Sequence, residues 1–372
     1  MRSALVVGTG LIGTSIALAL TRRGIEVHLS DTDEAAARTA ASLGAGRTGR
    51  PPQPVDLCIL AVPPARIGAM LAEAQREGWA RVYTDVGSVK ALIHDAAEDA
   101  GADLSRFIGG HPLAGRERSG PLAARADLFE GRPWVLTPGP TTSRDALNQA
   151  LELVSLCGAV PVVMDTEEHD HAVALISHAP HLVAALMAAR LEDAREESVR
   201  ISGTGIRDLT RIAGGAPELW EDILAANAPA IAEVLAAYAA DLEAAVAALR
   251  AVAGPDAEAA KHGAENLAEL LRRGNAGHAR IPGKHGSASF SYTAVPVLIS
   301  DRPGELARLF AAAGSVGVNI EDVRIDHSPG REAGLVELLV DPAVADRLAG
   351  PRGVRLDGPV LIGPSLSGTA TG

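Results

Sequence analysis

Positive charge is in short supply in this chain: 34 lysines and arginines stand against 46 acidic residues, a formal net charge of −12. No basic stretch compensates, so nucleic acid is excluded as a partner, because phosphate backbones are held by clustered cations. Cysteine is scarcer still. Cys58 and Cys157 stand far apart in apolar contexts, which argues against a disulfide or thiolate metal site and for a reduced, cytoplasmic protein. Aromatic residues make up 3% of the chain, so cores must be built largely from Ala, Val, Leu and Ile. No charged-then-apolar signal segment opens the chain, since a glycine motif begins by Gly8. No apolar run reaches the length of a membrane span, because charges interrupt even the alanine-rich stretches.

A length of 372 residues implies two or three domains. Over residues 1–164, short apolar runs such as "ALVV" (4–7), "LCILAV" (57–62), "RVYTDV" (81–86) and "WVLT" (134–137) read as strands separated by helical stretches. That is the grammar of a largely parallel α/β sheet. From 165 to 274 the strand signals stop and long Ala/Leu-rich helical patterns take over, as in "AIAEVLAAYAADLEAAVAALR" (230–250). A helix this apolar must bury more than one stripe, and a second copy of the chain is the simplest cover, so a homodimer is expected. Residues 275–291, "NAGHARIPGKHGSASFS", read as a linker. Beyond it, 292–362 returns to short strands around a helix on which Leu306, Leu309 and Phe310 share a face, a small α+β unit.

The motif "VVGTGLIGTSIALAL" (6–20) places Gly8, Gly10 and Gly13 after a predicted strand and at a helix start. Gly8 makes the tight turn, Gly10 lets the backbone approach a pyrophosphate, and Gly13 permits close helix–strand packing. The first helical turn, including Leu11 and Ile12, offers free amides and a positive dipole end to the phosphates. Asp31 ends the second strand at the distance where a carboxylate meets the adenosine ribose and repels a 2′-phosphate. A Rossmann-type domain binding NAD is therefore expected, with Asp33 as an alternative to Asp31.

Other polar clusters sit where a plain core would be apolar. "TDVGSVK" (84–90) puts Ser88 at the carboxyl end of a strand, either facing the nicotinamide crevice or capping the helix that follows. "GGHPLAGRERSG" (109–120) holds His111 in a turn-forming context that by itself fits a polar loop as well as a catalytic base. "EEHDHAVALISHAPHLVAAL" (167–186) carries four histidines, with Pro180 expected to break the bond to residue 176 and bend the helix. Their spacing, without cysteine or an acidic second shell, gives no support for a metal site. "GTGIRDLTRIAGGAPELW" (203–220) sets Arg207 and Arg211 one turn apart, suited to a carboxylate ligand or to surface ion pairs with Asp208 or Glu218.

Taken together and in this order, these motifs resemble the prephenate dehydrogenase (TyrA) family of tyrosine biosynthesis. The resemblance covers residues 4–250. It implies an N-terminal Rossmann domain, an all-helical dimerisation domain, and NAD-dependent oxidative decarboxylation of prephenate. His111 then matches the catalytic histidine and Ser88 the serine that helps hold the substrate hydroxyl. Arg211 matches the arginine gripping the ring carboxylate, and His181, His169 and Arg207 match positions lining the pocket. Arg116 departs from the small or polar residue usual after "HPLAG". The tail, with "DRPGELARLF" and "GVNIEDVRI", resembles an ACT domain, which implies an amino-acid effector, tyrosine, bound near Gly304 and Asn319. Arogenate and 4-amino-4-deoxyprephenate are rival substrates. A non-catalytic regulator binding NAD and an amino acid is the rival of another class, and the intact His111, Ser88 and Arg211 set argues against it.

Overall fold

The computed structural model describes residues 1–114, 120–215, 217–281, 292–300, 302–326 and 333–349. Arg116 lies outside them.

The N-terminal part is one eight-stranded sheet: β1 Ser3–Val7, β2 Glu26–Ser30, β3 Arg47–Thr48, β4 Val55–Leu60, β5 Ala80–Asp85, β6 Phe107–Pro112, β7 Pro133–Thr137 and β8 Val160–Val163. Its order is β3-β2-β1-β4-β5-β6-β7-β8, parallel throughout except where β6 meets β7. Helices α1 Leu11–Arg22, α2 Glu34–Ser42, α3 Pro64–Arg76, α4 Ala91–Asp99 and α5 Arg144–Leu156 connect the strands. Period-two burial supplies both faces. Ala4, Val6, Leu57 and Ile59 enter one core cluster, while Leu5, Val7, Cys58 and Leu60 enter the other. Both cysteines are buried and unpaired. The order of strands reverses between β1 and β4, and ligands bind open α/β sheets at the carboxyl ends beside such a point.

The strand reading missed only the two-residue β3, too short to carry a pattern.

After β8 the chain turns helical: α6 Thr166–Val173, α7 Ala179–Ala189, α8 Glu196–Arg200, α9 Thr204–Ile212, α10 Pro217–Ala226, α11 Ala228–Val252 and α12 Ala257–His278. Between α6 and α7 the helix does not break at Pro180. A π turn at Ala174–His178 absorbs the strain, and Pro180 sits in the first turn of α7, where its missing N–H is tolerated. The continuous helix Thr166–Ala189 is, by length and composition, long and apolar enough to cross a membrane, contrary to the sequence expectation. It also carries buried His169, Asp170, His178 and His181, so one of its faces packs against protein. Helix α12 runs four residues into the stretch read as linker, since nothing stops it before the neighbourhood of Pro282.

By contact density the chain divides into Met1–Ala240 and Asp241–Gly372. The second unit ends in a three-stranded antiparallel sheet, ordered β10-β11-β9, of β9 Thr293–Ser300, β10 Asp322–Asp326 and β11 Ala333–Val340. Helices α13 Glu305–Ser315 and α14 Pro342–Ala349 complete it. Leu309 and Ala313 are the buried contacts of α13, with Leu306 packed beside them, but Phe310 is exposed. One residue past Leu309 lies about 100° round the helix, off the buried stripe.

The pair Gly109–Gly110 shows how tightly β6 is held. A Cβ on Gly110 would lie 2.6 Å from the backbone oxygen of Asp85, and one on Gly109 would lie 2.3 Å from Thr137 Oγ1. Gly110→Ala should therefore cost about 1–3 kcal/mol of stability, read as a lower urea midpoint. An unchanged midpoint would show that β5 and β6 separate without penalty.

Candidate active site

The turn after β1 is built for close approach. Gly8 has φ +97°, and a Cβ there would lie 2.2 Å from the Ala61 carbonyl oxygen. A Cβ on Gly13 would meet the Gly8 oxygen at 1.9 Å. Gly10 differs: it caps α1, and nothing lies within 4 Å of where its Cβ would stand. The backbone at the helix N-terminus, running into Leu11 and Ile12, is thus open to a ligand. A cavity of about 480 Å³ is bordered by Gly8, Gly10 and Asp31 on one side and Val62, Pro63 and Arg66 on the other. Asp31 accepts from Thr9 N (2.6 Å), Thr9 Oγ1 (2.8 Å) and Asp33 N (2.9 Å). Burial pushes its carboxyl up, but these hydrogen bonds outweigh burial and hold it below the usual carboxylate range. Asp33 is occupied as the N-cap of α2, so Asp31 is the carboxylate that borders the cavity.

At the carboxyl end of β6, His111 is half-buried, and its Nδ1 lies 2.8 Å from His169 Nε2. His169 is fully buried, and its Nδ1 is 2.7 Å from Asp170 Oδ1. It stands behind His111, in contact with that ring. Asp170 also accepts from Lys90 N and Ala91 N, each at 2.9 Å, and so caps α4 from another element. The cap reading of Ser88 is therefore wrong: the N-cap position is Lys90. The Ser88 hydroxyl has no hydrogen-bond partner among the described residues. Lys90 Nζ pairs with Asp85 Oδ1 and donates to the Gly110 carbonyl at 2.8 Å. Asp85 in turn accepts from Gly87 N and Gly110 N.

Burial drives the His111 pKa well below the ordinary histidine value, and neighbouring His169, Lys90 and His178 push it the same way. The ring is thus kept in its neutral, proton-accepting form. Burial would raise the Asp170 carboxyl, but bonds from His169 and from the Ala91 and Lys90 amides hold it below the usual range.

The π turn explains how four side chains of one helix face inward. One extra residue retards the helical face by roughly 100°, which brings His178 and His181 round to the side of His169, Asp170 and Val173. Asn227 donates to the Asp170 carbonyl (2.8 Å) and meets His178 Nδ1 at 3.2 Å. His181 stacks on Trp220 with centroids 3.5 Å apart and bonds the backbone of Ile212, so it fixes the end of α9. Arg207 and Arg211 project from α9 exposed, with no ion pair among the described residues. Sequence reasoning overlooked Lys90, Asp85, Asp170, Trp220 and Asn227. Asp170 had a signal, lying beside His169 in "HDH"; the others depend on contacts distant in sequence.

Two family descriptions match this chain: "Prephenate dehydrogenase, nucleotide-binding domain" over residues 16–163 and "Prephenate dehydrogenase, dimerization domain" over 165–273. A probable prephenate dehydrogenase of Streptomyces niveus, NovF, is 42% identical over 94% of this chain and 96% of its own. The chain belongs to the prephenate dehydrogenase family. A prephenate dehydrogenase of Bacillus subtilis is 30% identical over 86% of this chain and 87% of its own. A crystal structure of the Aquifex aeolicus prephenate dehydrogenase with hydroxyphenyl propionate and NAD+ aligns with a TM-score of 0.64 at 27% identity. It covers 75% of this chain and 97% of that one.

The cofactor of this family member is NAD, and the residues present fit it. The open space over Gly10 suits a pyrophosphate, and the ionised Asp31 suits a ribose with free hydroxyls. Loss of a charge-assisted hydrogen bond costs roughly 1.5–3 kcal/mol, so Asp31→Ser should weaken NAD binding about 10- to 100-fold and narrow the preference over NADP. Titration of the two dinucleotides against wild type and variant checks this. Equal affinities in both proteins would remove Asp31 from the ribose site.

Proposed function

We propose that this chain oxidises and decarboxylates prephenate to 4-hydroxyphenylpyruvate, with His111 as the base. The observation that carries the reading is the free edge of that ring. Nδ1 is tied to His169, while Nε2 has no partner among the described residues and stands at the carboxyl edge of the sheet. Prephenate carries a hydroxyl at C4 and a carboxylate at C1 of a cyclohexadiene ring. Bound NAD supplies the acceptor for the C4 hydride. His111 takes the hydroxyl proton as the carbonyl forms, and its depressed pKa keeps it free to do so. Ser88, on the loop after the neighbouring strand and with an uncommitted hydroxyl, orients the same oxygen. The new carbonyl draws electrons from C1, CO2 leaves, and the ring becomes aromatic. We assign the substrate carboxylates to Arg211, with Arg207 beside it, because a guanidinium fork grips a carboxylate bidentately. His181 holds their helix in place.

The working unit is read as a cytoplasmic homodimer. The matched dimerisation domain supports this, as do exposed Leu175, Ile176, Leu186 and Met187 on the helix Thr166–Ala189. The domains we assign are 1–164 for NAD, 165–274 for substrate and dimerisation, and 292–362 for regulation.

The C-terminal element order β9-α13-β10-β11-α14 supports an ACT reading, as far as the described residues extend. A cavity of about 330 Å³ opens there over Gly304, in the αL conformation at φ +94°, with Ser300 and Arg302 on its rim. An amino-acid effector, tyrosine, would set its carboxylate there. Asn319 does not border this cavity; its amide bonds Glu321 at 2.6 Å. It therefore drops out of the effector site within one chain.

Two outcomes test these readings. His111→Asn should lower kcat roughly 10²- to 10⁴-fold while NAD affinity holds. In wild type the acid limb of kcat/KM should lie below the ordinary histidine value, since rate is lost only as His111 gains its proton. NADH formation with prephenate, arogenate and the amino analogue in parallel measures both rate and substrate choice, and near-normal turnover by the variant removes His111 from the chemistry. For regulation, Gly304→Asp keeps a residue tolerant of αL but sets a carboxylate in the cavity. It should abolish inhibition by tyrosine and leave the uninhibited rate intact. Equal inhibition of both proteins would mean that tyrosine competes at the active site.

A further inference from the structure

The base and the two groups behind it form a directed chain of hydrogen bonds, and its direction can be read from its end. Asp170 accepts two backbone amides and is held ionised, so it has no proton to give. The 2.7 Å contact with His169 Nδ1 therefore needs the proton on that nitrogen. With that ring neutral, its Nε2 carries a lone pair and can only accept. The 2.8 Å contact to His111 then needs a proton on His111 Nδ1. For a neutral His169 ring the network has one arrangement of ring protons, and a proton on both His169 nitrogens would reverse the last link.

We propose that His169 and Asp170 are positioning residues that lock His111 in the tautomer protonated on Nδ1, so that Nε2 is bare toward the site. No competing partner disturbs the lock among the described residues. Lys90 Nζ is spent on Asp85 and the Gly110 carbonyl, and His178 meets Asn227. When Nε2 takes a proton, the resulting imidazolium points its Nδ1–H along the same chain toward the Asp170 charge. Asp170 adds a second function through its backbone-facing lone pairs. It ties the start of α4, and with it the Ser88 loop, to the helix that orients the base.

The proposal rests on the prephenate reading only for the identity of the hydroxyl, because the tautomer belongs to the substrate-free protein. Full-length protein labelled with ¹⁵N-histidine reports it directly, since long-range nitrogen–proton spectra separate bare from protonated ring nitrogens. His111→Asn identifies the signals. Wild type should show His111 bare at Nε2. Asp170→Asn should break the lock: the charge is lost, and an amide can keep its oxygen toward Lys90 N and His169 Nδ1–H only by turning its NH2 against the Ala91 N–H. The comparable carboxylate-to-amide change in a serine protease triad costs about 10⁴ in kcat, and a loss of that order is expected here. Should that variant fold poorly, the His169 pair leaves the Asp170 cap in place. His169→Gln offers a carbonyl to Nδ1–H and should keep most of the rate and the tautomer, while His169→Leu should lose both. A wild-type His111 protonated on Nε2, or equal losses in the Gln and Leu variants, would reduce His169 to a space-filling role. The expected tautomer in a protein that turns over none of the three substrates would overturn the functional reading and leave this one standing.

Discussion

One buried carboxylate organises this site. Asp170 leaves water for a pocket in which every compensating donor comes from a part the chemistry needs: the first amides of α4 and the ring of His169. An ionised group in such a place is tolerated only when its lone pairs are filled, so each donor is held by the cost of leaving it. The same bonds that keep Asp170 charged fix where α4 begins, which way His169 faces, and through it the orientation of His111. Rigidity at the base is thus a consequence of solvation. No separate scaffold is required.

A second buried charge explains the glycines. Asp85 and Lys90 form an ion pair removed from water, and breaking one partner of such a pair costs on the order of 3–5 kcal/mol. Burial pushes the Asp85 carboxyl up and the Lys90 ammonium down, while each partner's charge opposes the shift in the other. Their remaining capacity is met by the backbone of Gly87 and Gly110. That compensation demands backbone contact, and a Cβ on Gly109 or Gly110 would stand in the way. "DVGSVK" and "GGH", two motifs twenty residues apart, are therefore one structural unit that presents Ser88 and His111 from adjacent strands.

How much of this was legible follows from the range of the interactions. The cofactor turn is local: strand, glycines, helix and the following Asp31 obey short-range rules, and the parallel sheet announces itself by its alternation. His111 was singled out as a residue, but its chemistry was not decided by its own loop, which reads equally well as a turn. The deciding partners sit 58 residues further on, His169 directly and Asp170 behind it. Nothing in a period-3.6 pattern reports that a buried histidine touches another histidine. The capping role offered to Ser88 was taken by a carboxylate 80 residues distant from Lys90, a tertiary contact that overrides the local preference. Pro180 gave a correct local warning with a different outcome, because a π turn relieved the strain and left the helix continuous.

That π turn sets which side chains of its helix face inward and which face out. Without the extra residue, the faces before and after Val173 would be out of phase, and His178 would turn away from His169 and Asp170. With it, the polar and histidine-bearing positions gather on one side of Thr166–Ala189, and the apolar remainder, Leu175, Ile176, Leu186 and Met187, is left on the surface of the single chain. An apolar surface of that kind is unfavourable in water, and the segment that bears it lies within the matched dimerisation domain. The helix that carries His169 and Asp170 thus also carries this apolar surface. The inward polar set and the outward apolar surface are in this way two consequences of one irregularity in one helix.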